Sequence, residues 1–233
     1  MRKLFLITLV TLLGTIFQAH GTETPVNVDQ YILPADHPWR KKINGLFEQV
    51  AFDSIIGSRD GGFIPMSRVH RGLMVMHHPA AKGLLFKKFI NDKCKPKKEL
   101  ANFIRRIEGA RRLKAFIQEK QLKYIATPEK WLYPLPDEGR YILIVEKFDL
   151  LKLDESNKLY EKISETKLGE LCLVLNQFRG LDSVMHNVPF TKQGQIGFID
   201  TERWEEFRPK FLRHVKDYLS KPNQEYAETQ KAF

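Results

Sequence analysis

Cysteine is nearly absent: Cys94 and Cys172 are the two in 233 residues. That excludes a disulfide-stapled scaffold, although one bridge could form in an oxidising compartment. Cys172 falls on an apolar helix face, where a buried free thiol is the expected state. No long apolar run follows the first 21 residues, so nothing later in the chain reads as a membrane span. His77 and His78 have no third ligand at useful spacing, which argues for solvated turn histidines over a zinc site. Acidic residues are outnumbered, 28 Asp and Glu against 38 Lys and Arg. The excess gathers in residues 82–130, with fifteen basic and five acidic side chains. Aromatics are little interleaved there and no recognised nucleic-acid motif occurs. The stretch therefore reads as the solvated face of a helix, and no nucleic-acid partner is expected.

Residues 1–21 do have the three-part organisation of a secretory signal. Arg2 and Lys3 form a positive end, residues 4–17 are almost wholly apolar, and Ala19-His20-Gly21 offers small residues for cleavage. The apolar run falls short of the roughly 20 residues a span needs, and an uncleaved anchor is the alternative. The mature chain is expected to begin near Thr22, secreted or periplasmic and without a transmembrane span. It then keeps 36 basic and 28 acidic residues, a balance of +8. Its length suits one domain with two lobes, or two small domains.

Periodicity supplies the elements. A polar, proline-punctuated stretch at 22–39 precedes a short helical pattern at 40–52, with Ile43, Phe47 and Val50 in phase. Residues 72–76 and 83–90 read as two strands. Alternation in the second puts Lys87 on one face with Leu85 and Phe89, and Lys88 on the other. Lys87 is then a phosphate clamp or an edge-strand lysine. Residues 99–121 form the clearest helix, with Leu100, Phe103, Ile104, Ile107, Ala110, the Lys114 stem and Ile117 in rhythm. Glu108 lies at the flank of that stripe, four residues before Arg112, with which it could pair on the surface.

Residues 127–131 and 134–136 mark a connection, and 140–148 a nearly continuous apolar strand, hence a central one. Residues 158–163 suit a helical turn. Residues 166–180 make a second helix closed by Gly180, and 205–221 a third closed by Pro222. Between those helices lies DSVMHNVPFTKQGQIGFID, residues 182–200. Its Lys192-Gln193-Gly194 link reads as a hairpin turn. The hairpin sets Asn187 just before one strand and Asp200 just after the other, with Asp182 on the approach. Oxygen ligands of this kind suit a hard cation such as Mg²⁺, and a third carboxylate can take a proton from a hydroxyl.

This segment resembles the catalytic segment of protein kinases, H-R-D-x-x-x-x-N followed by a hairpin and D-F-G. The order of lysine strand, helix with glutamate, hinge strand, helix and D…N…D hairpin extends the resemblance over about residues 72–202. It implies an α+β, protein-kinase-like two-lobed fold, with an antiparallel N-lobe sheet, one helix and a small, mainly helical C-lobe. The implied boundaries are a leader at 22–60, an N-lobe at 61–148, a reduced C-lobe at 149–222 and a disordered tail at 223–233.

The resemblance also implies roles. Asp182 is the catalytic aspartate, Asn187 and Asp200 hold Mg²⁺, and Lys87 pairs with Glu108 on the phosphates of ATP or another nucleotide. Residues 145–148 are the hinge, with Glu146 and Phe148 beside the base. The departures are Gly180-Leu181 in place of His-Arg, Thr201-Glu202 in place of Phe-Gly, no G-x-G-x-x-G around Gly57 and Gly61-Gly62, and no A-P-E. They point away from an ordinary protein kinase. Three classes stay open: phosphotransfer to an unknown small-molecule or protein acceptor, a pseudokinase binding module, or a basic secreted interaction protein. Export has its own test: mass spectrometry of extracellular or periplasmic material is expected to find residues 1 to about 21 removed, and an intact Met1 would overturn it.

Overall fold

Short runs of branched and aromatic residues pair into one antiparallel sheet. In chain order the strands are β1 (Ile64–Pro65), β2 (Leu73–His77), β3 (Leu84–Phe89), β4 (Ile125–Ala126), β5 (Lys130–Pro134), β6 (Tyr141–Glu146) and β7 (Ile196–Gly197). The sheet order is β1-β2-β3-β6-β5, while β4 and β7 form a separate parallel pair. The structure is a computed structural model and describes residues 26–48, 62–66, 72–90, 96–136, 139–206 and 213–230. The signal reading, Gly57, Gly61 and Cys94 lie outside the described residues. Of the separate unit Met1–Gln30, residues 26–30 are described, and there the Asp29 N–H donates to Asn27 Oδ1 at 3.1 Å.

Register divides the sheet into two faces. Phe86 opposes Ile144, and Trp131 opposes Ile144 from the other side. On that face Met74, Met76, Leu84, Phe86, Tyr133, Ile142 and Ile144 pack with Ile43 and Phe47 of helix α1 (Arg40–Phe47) into one core. The opposite face carries Leu85 against Val145 and Lys130, and Lys87 against Leu143 and Leu132. Helix α2 (Pro96–Glu119) meets that face, Phe103 lying 5.3 Å from Phe89 between ring centroids. Its last turns, through Leu113 and Phe116, enter a second core. That core includes Tyr160 of α3 (Leu153–Glu161) and Leu168, Leu171 and Cys172 of α4 (Glu165–Gln177). Two cores, one under a sheet and one mainly helical, make an α+β architecture consistent with a kinase-like two-lobed fold. Among the described residues no helix is long and apolar enough to cross a membrane.

Several expectations need correction. Residues 127–131 are not all connection, because β5 begins at Lys130 and pairs along β6. Within the stretch read as a leader, Leu33 is buried and its N–H donates to the Leu132 carbonyl at 2.9 Å. The helical turn read at 158–163 is the longer α3. The stripe of α2 is buried at Leu113 and Phe116, whereas Lys114 is exposed and pairs with Glu129. Pro222 opens a helix rather than closing one. Proline lacks an N–H and is tolerated in a first turn, and here it starts α6 (Lys221–Thr229), after the short α5 (Arg213–Lys216). Most of the expected tail is thus helical, with Ala227 fully buried in the second core. Cys172 is a buried free thiol, as expected, and burial pushes its pKa up to about 12.

Glycine lets the segment after β7 lie against α2. A Cβ on Gly109 would sit 2.2 Å from the Thr201 carbonyl oxygen, and one on Gly180 would sit 1.7 Å from that of Arg203. Both obstacles are backbone, so neither glycine can gain a side chain without moving the segment. Alanine at a mid-helix glycine normally gains about 1 kcal/mol. At Gly109 the clash should reverse that sign, and we expect Gly109→Ala to cost about 1–3 kcal/mol. A thermal melt should show a fall of about 2–4 °C per kcal/mol; a rise would contradict this packing.

Candidate active site

The hairpin forms where the Gly194 turn predicts it. Gly194 has φ +80°, its N–H donates to the Thr191 carbonyl at 2.9 Å, and Thr191 N–H donates to that of Gln195 at 2.8 Å. Gly197 N–H donates to the Pro189 carbonyl at 2.8 Å and Ile199 N–H to that of Asn187 at 3.0 Å. Asn187 and Asp200 therefore lie at one open end of the ribbon. Helix α3 secures the incoming strand: the Tyr160 hydroxyl donates to the Val188 carbonyl at 2.7 Å, and Phe190 N–H donates to Ser156 Oγ at 3.1 Å. On the approach, Asp182 Oδ1 accepts from Val184 N–H at 3.2 Å and is partly exposed.

Asp200 does not stand alone at that end. Arg106 of α2 donates Nη1 to Asp200 Oδ1 at 2.5 Å and Nη2 to the Glu202 carboxylate. Arg106 is 7% exposed, against 31% for Asp200 and 23% for Glu202. Lys87 reaches the same site from β3. Lys130, on the same sheet face, donates Nζ to the Ile199 carbonyl at 3.2 Å and to Thr201 Oγ1 at 2.8 Å. Thr201 in turn donates to the Arg106 carbonyl at 2.6 Å.

These charges set one another's protonation. Burial alone would raise the Asp200 carboxyl, but Arg106, then Lys87 and Lys130, outweigh it and hold it well below the usual carboxylate range. Burial, followed by the Arg106 charge, lowers Lys87 to about 8, with Asp200 and Glu202 pulling the other way. Burial and then Lys87 push Lys130 well below an ordinary lysine, against the pull of Asp200.

Of the residues expected in the site, Lys87 and Asp200 come together electrostatically. Glu108 does not pair with Lys87. It stands 3.9 Å from Arg112 one turn on, and it accepts a hydrogen bond from Tyr31. The helix side turned to Asp200 carries Asn102, Arg106 and Gly109, all buried, so an arginine occupies the place expected for a glutamate. At the hinge, Glu146 is exposed and its N–H donates to the Glu129 carbonyl at 2.9 Å, while Lys147 N–H donates to that of Gly83 at 2.9 Å. Neither amide is then left for the edge of a base. Phe148 lies against β7, its ring 3.2 Å from where a Cβ on Gly197 would be.

Sequence reasoning missed Arg106, Lys130 and Glu202. Gly109, a glycine inside a strong helix pattern three residues after Arg106, was the available signal, since such a glycine often marks close backbone approach.

The metal can be tested against these donors. Asn187 and Asp200 supply hard oxygens, as Mg²⁺ requires. Arg106 and the Glu202 N–H, the latter at 3.2 Å, both donate to Asp200 Oδ1, and Oδ2 is the oxygen left to a cation. Among the described residues no cluster of three His, Cys, Asp or Glu side chains suits a metal, so phosphate oxygens and the Asn187 amide would have to complete the set. The site also fits phosphate: Arg106 Nε is buried with no hydrogen-bond partner, beside two lysines.

No family model matches the chain, and comparison with curated proteins returns no match. Among solved structures, the GDP and kanamycin complex of APH(2")-IIia is similar to this chain, with 9% identity and a TM-score of 0.44 over 83% of this chain and 82% of that one.

The Asp200 cluster should govern acid stability. A depressed folded-state pKa contributes stability above the unfolded value of about 4, and that stability is lost as pH falls below it. Asp200→Asn leaves the buried Arg106 with only one of its two close carboxylate partners, Glu202. It should cost about 3 kcal/mol at pH 7, the low end for a broken buried pair because the carboxylate is partly exposed. In denaturant titrations that difference should shrink steadily below about pH 4; a constant difference down to pH 2 would contradict the ion pair.

Proposed function

We propose that this chain is an exported, kinase-like phosphotransferase that binds the phosphates of ATP or another nucleotide between the sheet and the hairpin. The observation that carries the reading is the convergence of Lys87, Arg106 and Lys130 on one ionised aspartate, with an arginine donor left unpaired. Basic side chains gathered around a partly buried carboxylate suit a ligand that is itself an anion carried with a cation.

Lys87 and Arg106 are the residues for the phosphate oxygens. Asn187 and Asp200 Oδ2 are those that would hold Mg²⁺. Held there, the ion would supply positive charge against the phosphate. Asp182 takes the proton of the acceptor hydroxyl. Its Oδ1 is engaged by the Val184 N–H, which fixes the carboxylate and leaves Oδ2 for that proton. The acceptor is a small molecule or a protein bearing a hydroxyl. A nucleotide is scarce outside cells, so an exported kinase would act after delivery into another cell.

A second reading, a pseudokinase that binds without turnover, has its own support. Arg106 holds Asp200 from the helix, where the kinase resemblance would put a glutamate on Lys87. Kinetics separates the two. Asp182→Ala is expected to keep nucleotide affinity within about twofold and to lower turnover at least 100-fold, the range of a lost general base. Asp200→Ala should abolish Mg²⁺-dependent binding. Wild-type binding without any turnover, ATP hydrolysis included, would select the pseudokinase.

A further inference from the structure

Lys130 is 4% exposed, on a sheet face whose neighbouring positions are Leu85, Val145, Leu132 and Leu143. Leucine or methionine would pack there without removing an ammonium from water, which costs several kcal/mol per ion. The two acceptors that the ammonium reaches are the Ile199 carbonyl and Thr201 Oγ1, the residues immediately before and after Asp200. Thr201, fully buried, passes the connection to the Arg106 carbonyl, and Arg106 grips Asp200 itself. A closed circuit of strand, helix and hairpin end thus surrounds one carboxylate.

We propose that Lys130 is a positioning residue for the reaction inferred above, on which this inference rests: it aims Asp200 by binding the residues on both sides of it. Arg106 takes Oδ1 from the helix side, while Lys130 fixes the backbone from the sheet side. Between them they determine where Oδ2 points. A lysine acting only as core filler would support the fold and have no selective effect on the metal.

The experiment uses the full chain and calorimetric titration of ATP, once with Mg²⁺ and once in EDTA. For Lys130→Met the Mg²⁺ concentration needed for half-maximal ATP affinity should rise about tenfold, the scale of one lost hydrogen bond to a charged group. Affinity for ATP in EDTA should change less than twofold. Thr201→Val, which removes one acceptor at nearly constant volume, should shift the Mg²⁺ requirement the same way, and Lys130→Arg should restore part of it. Equal weakening of ATP binding with and without metal would overturn the proposal, as would an unchanged Mg²⁺ requirement. If Lys130→Met does not fold, Thr201→Val decides the matter alone. A wild type that binds no ATP with Mg²⁺ or Mn²⁺ overturns the phosphotransfer reading and this inference together; normal wild-type binding with wild-type metal dependence in the variants overturns only the role of Lys130.

Discussion

A buried guanidinium with two carboxylates ties helix α2 to the end of the hairpin. Arg106 leaves water almost completely, at a cost that no single exposed ion pair would offset. Asp200 and Glu202 each take one of its terminal nitrogens. The pairing is possible because Gly109, one turn further along α2, lets the Thr201 backbone lie against the helix. The same helix inserts Leu113 and Phe116 into the second core, so packing and charge pairing act on one rigid rod. The chain just beyond is tied to the same rod, with the Arg112 guanidinium 4.3 Å from the Trp204 ring.

That constraint decides what the cluster can bind. Asp200 stays ionised through the neutral range because the cations around it outweigh its burial. Lys87, lowered to about 8, is still mostly protonated at pH 7. Two carboxylates therefore face an arginine and two lysines across a sheet surface that is otherwise apolar. Such an arrangement is poor at holding a bare cation and better suited to a cation that arrives with phosphate. Away from the cluster, the hairpin is braced independently of these charges. Lys167 donates to the Gly194 carbonyl at 3.1 Å, and Glu170 accepts from the N–H groups of Lys123 and Tyr124 at 3.1 and 2.7 Å. The tip is thereby fixed to α4 and to the chain entering β4.

What the sequence made legible was local. Alternation in residues 84–89 separated Lys87 from Lys88, and Lys88 is indeed fully buried on the other face. Gly194 specified the hairpin, and with it the shared end of Asn187 and Asp200. The two strong helices are legible from their rhythm, although α4 stops at Gln177 and Gly180, three residues on, serves a close contact and not a cap. What was not legible depends on pairings distant in sequence. Arg106 and Asp200 are 94 positions apart, and the local sign that favours Arg106 over Arg105 is Gly109 one turn on, which does not name the partner. Lys130 reads as part of a connection between prolines, yet its strand is fixed by β6. The kinase analogy points to Glu108, but the helix phase turns Arg106 to Asp200 and leaves Glu108 beside Arg112.

The central claim is that the Arg106, Lys87, Lys130 and Asp200 cluster is a phosphate site that works with a divalent cation. Thermal unfolding of the wild-type chain with ATP, GTP and Mg²⁺, together and separately, tests it most directly. A ligand at 100 times its dissociation constant stabilises by about 2.7 kcal/mol, which raises the melting temperature of a chain of this size by roughly 5–10 °C. The account predicts a shift of that size with at least one nucleotide plus Mg²⁺, a smaller shift with nucleotide alone, and almost none with Mg²⁺ alone. Stabilisation by Mg²⁺ alone equal to that of the full mixture, or no shift under any of these conditions, would contradict it.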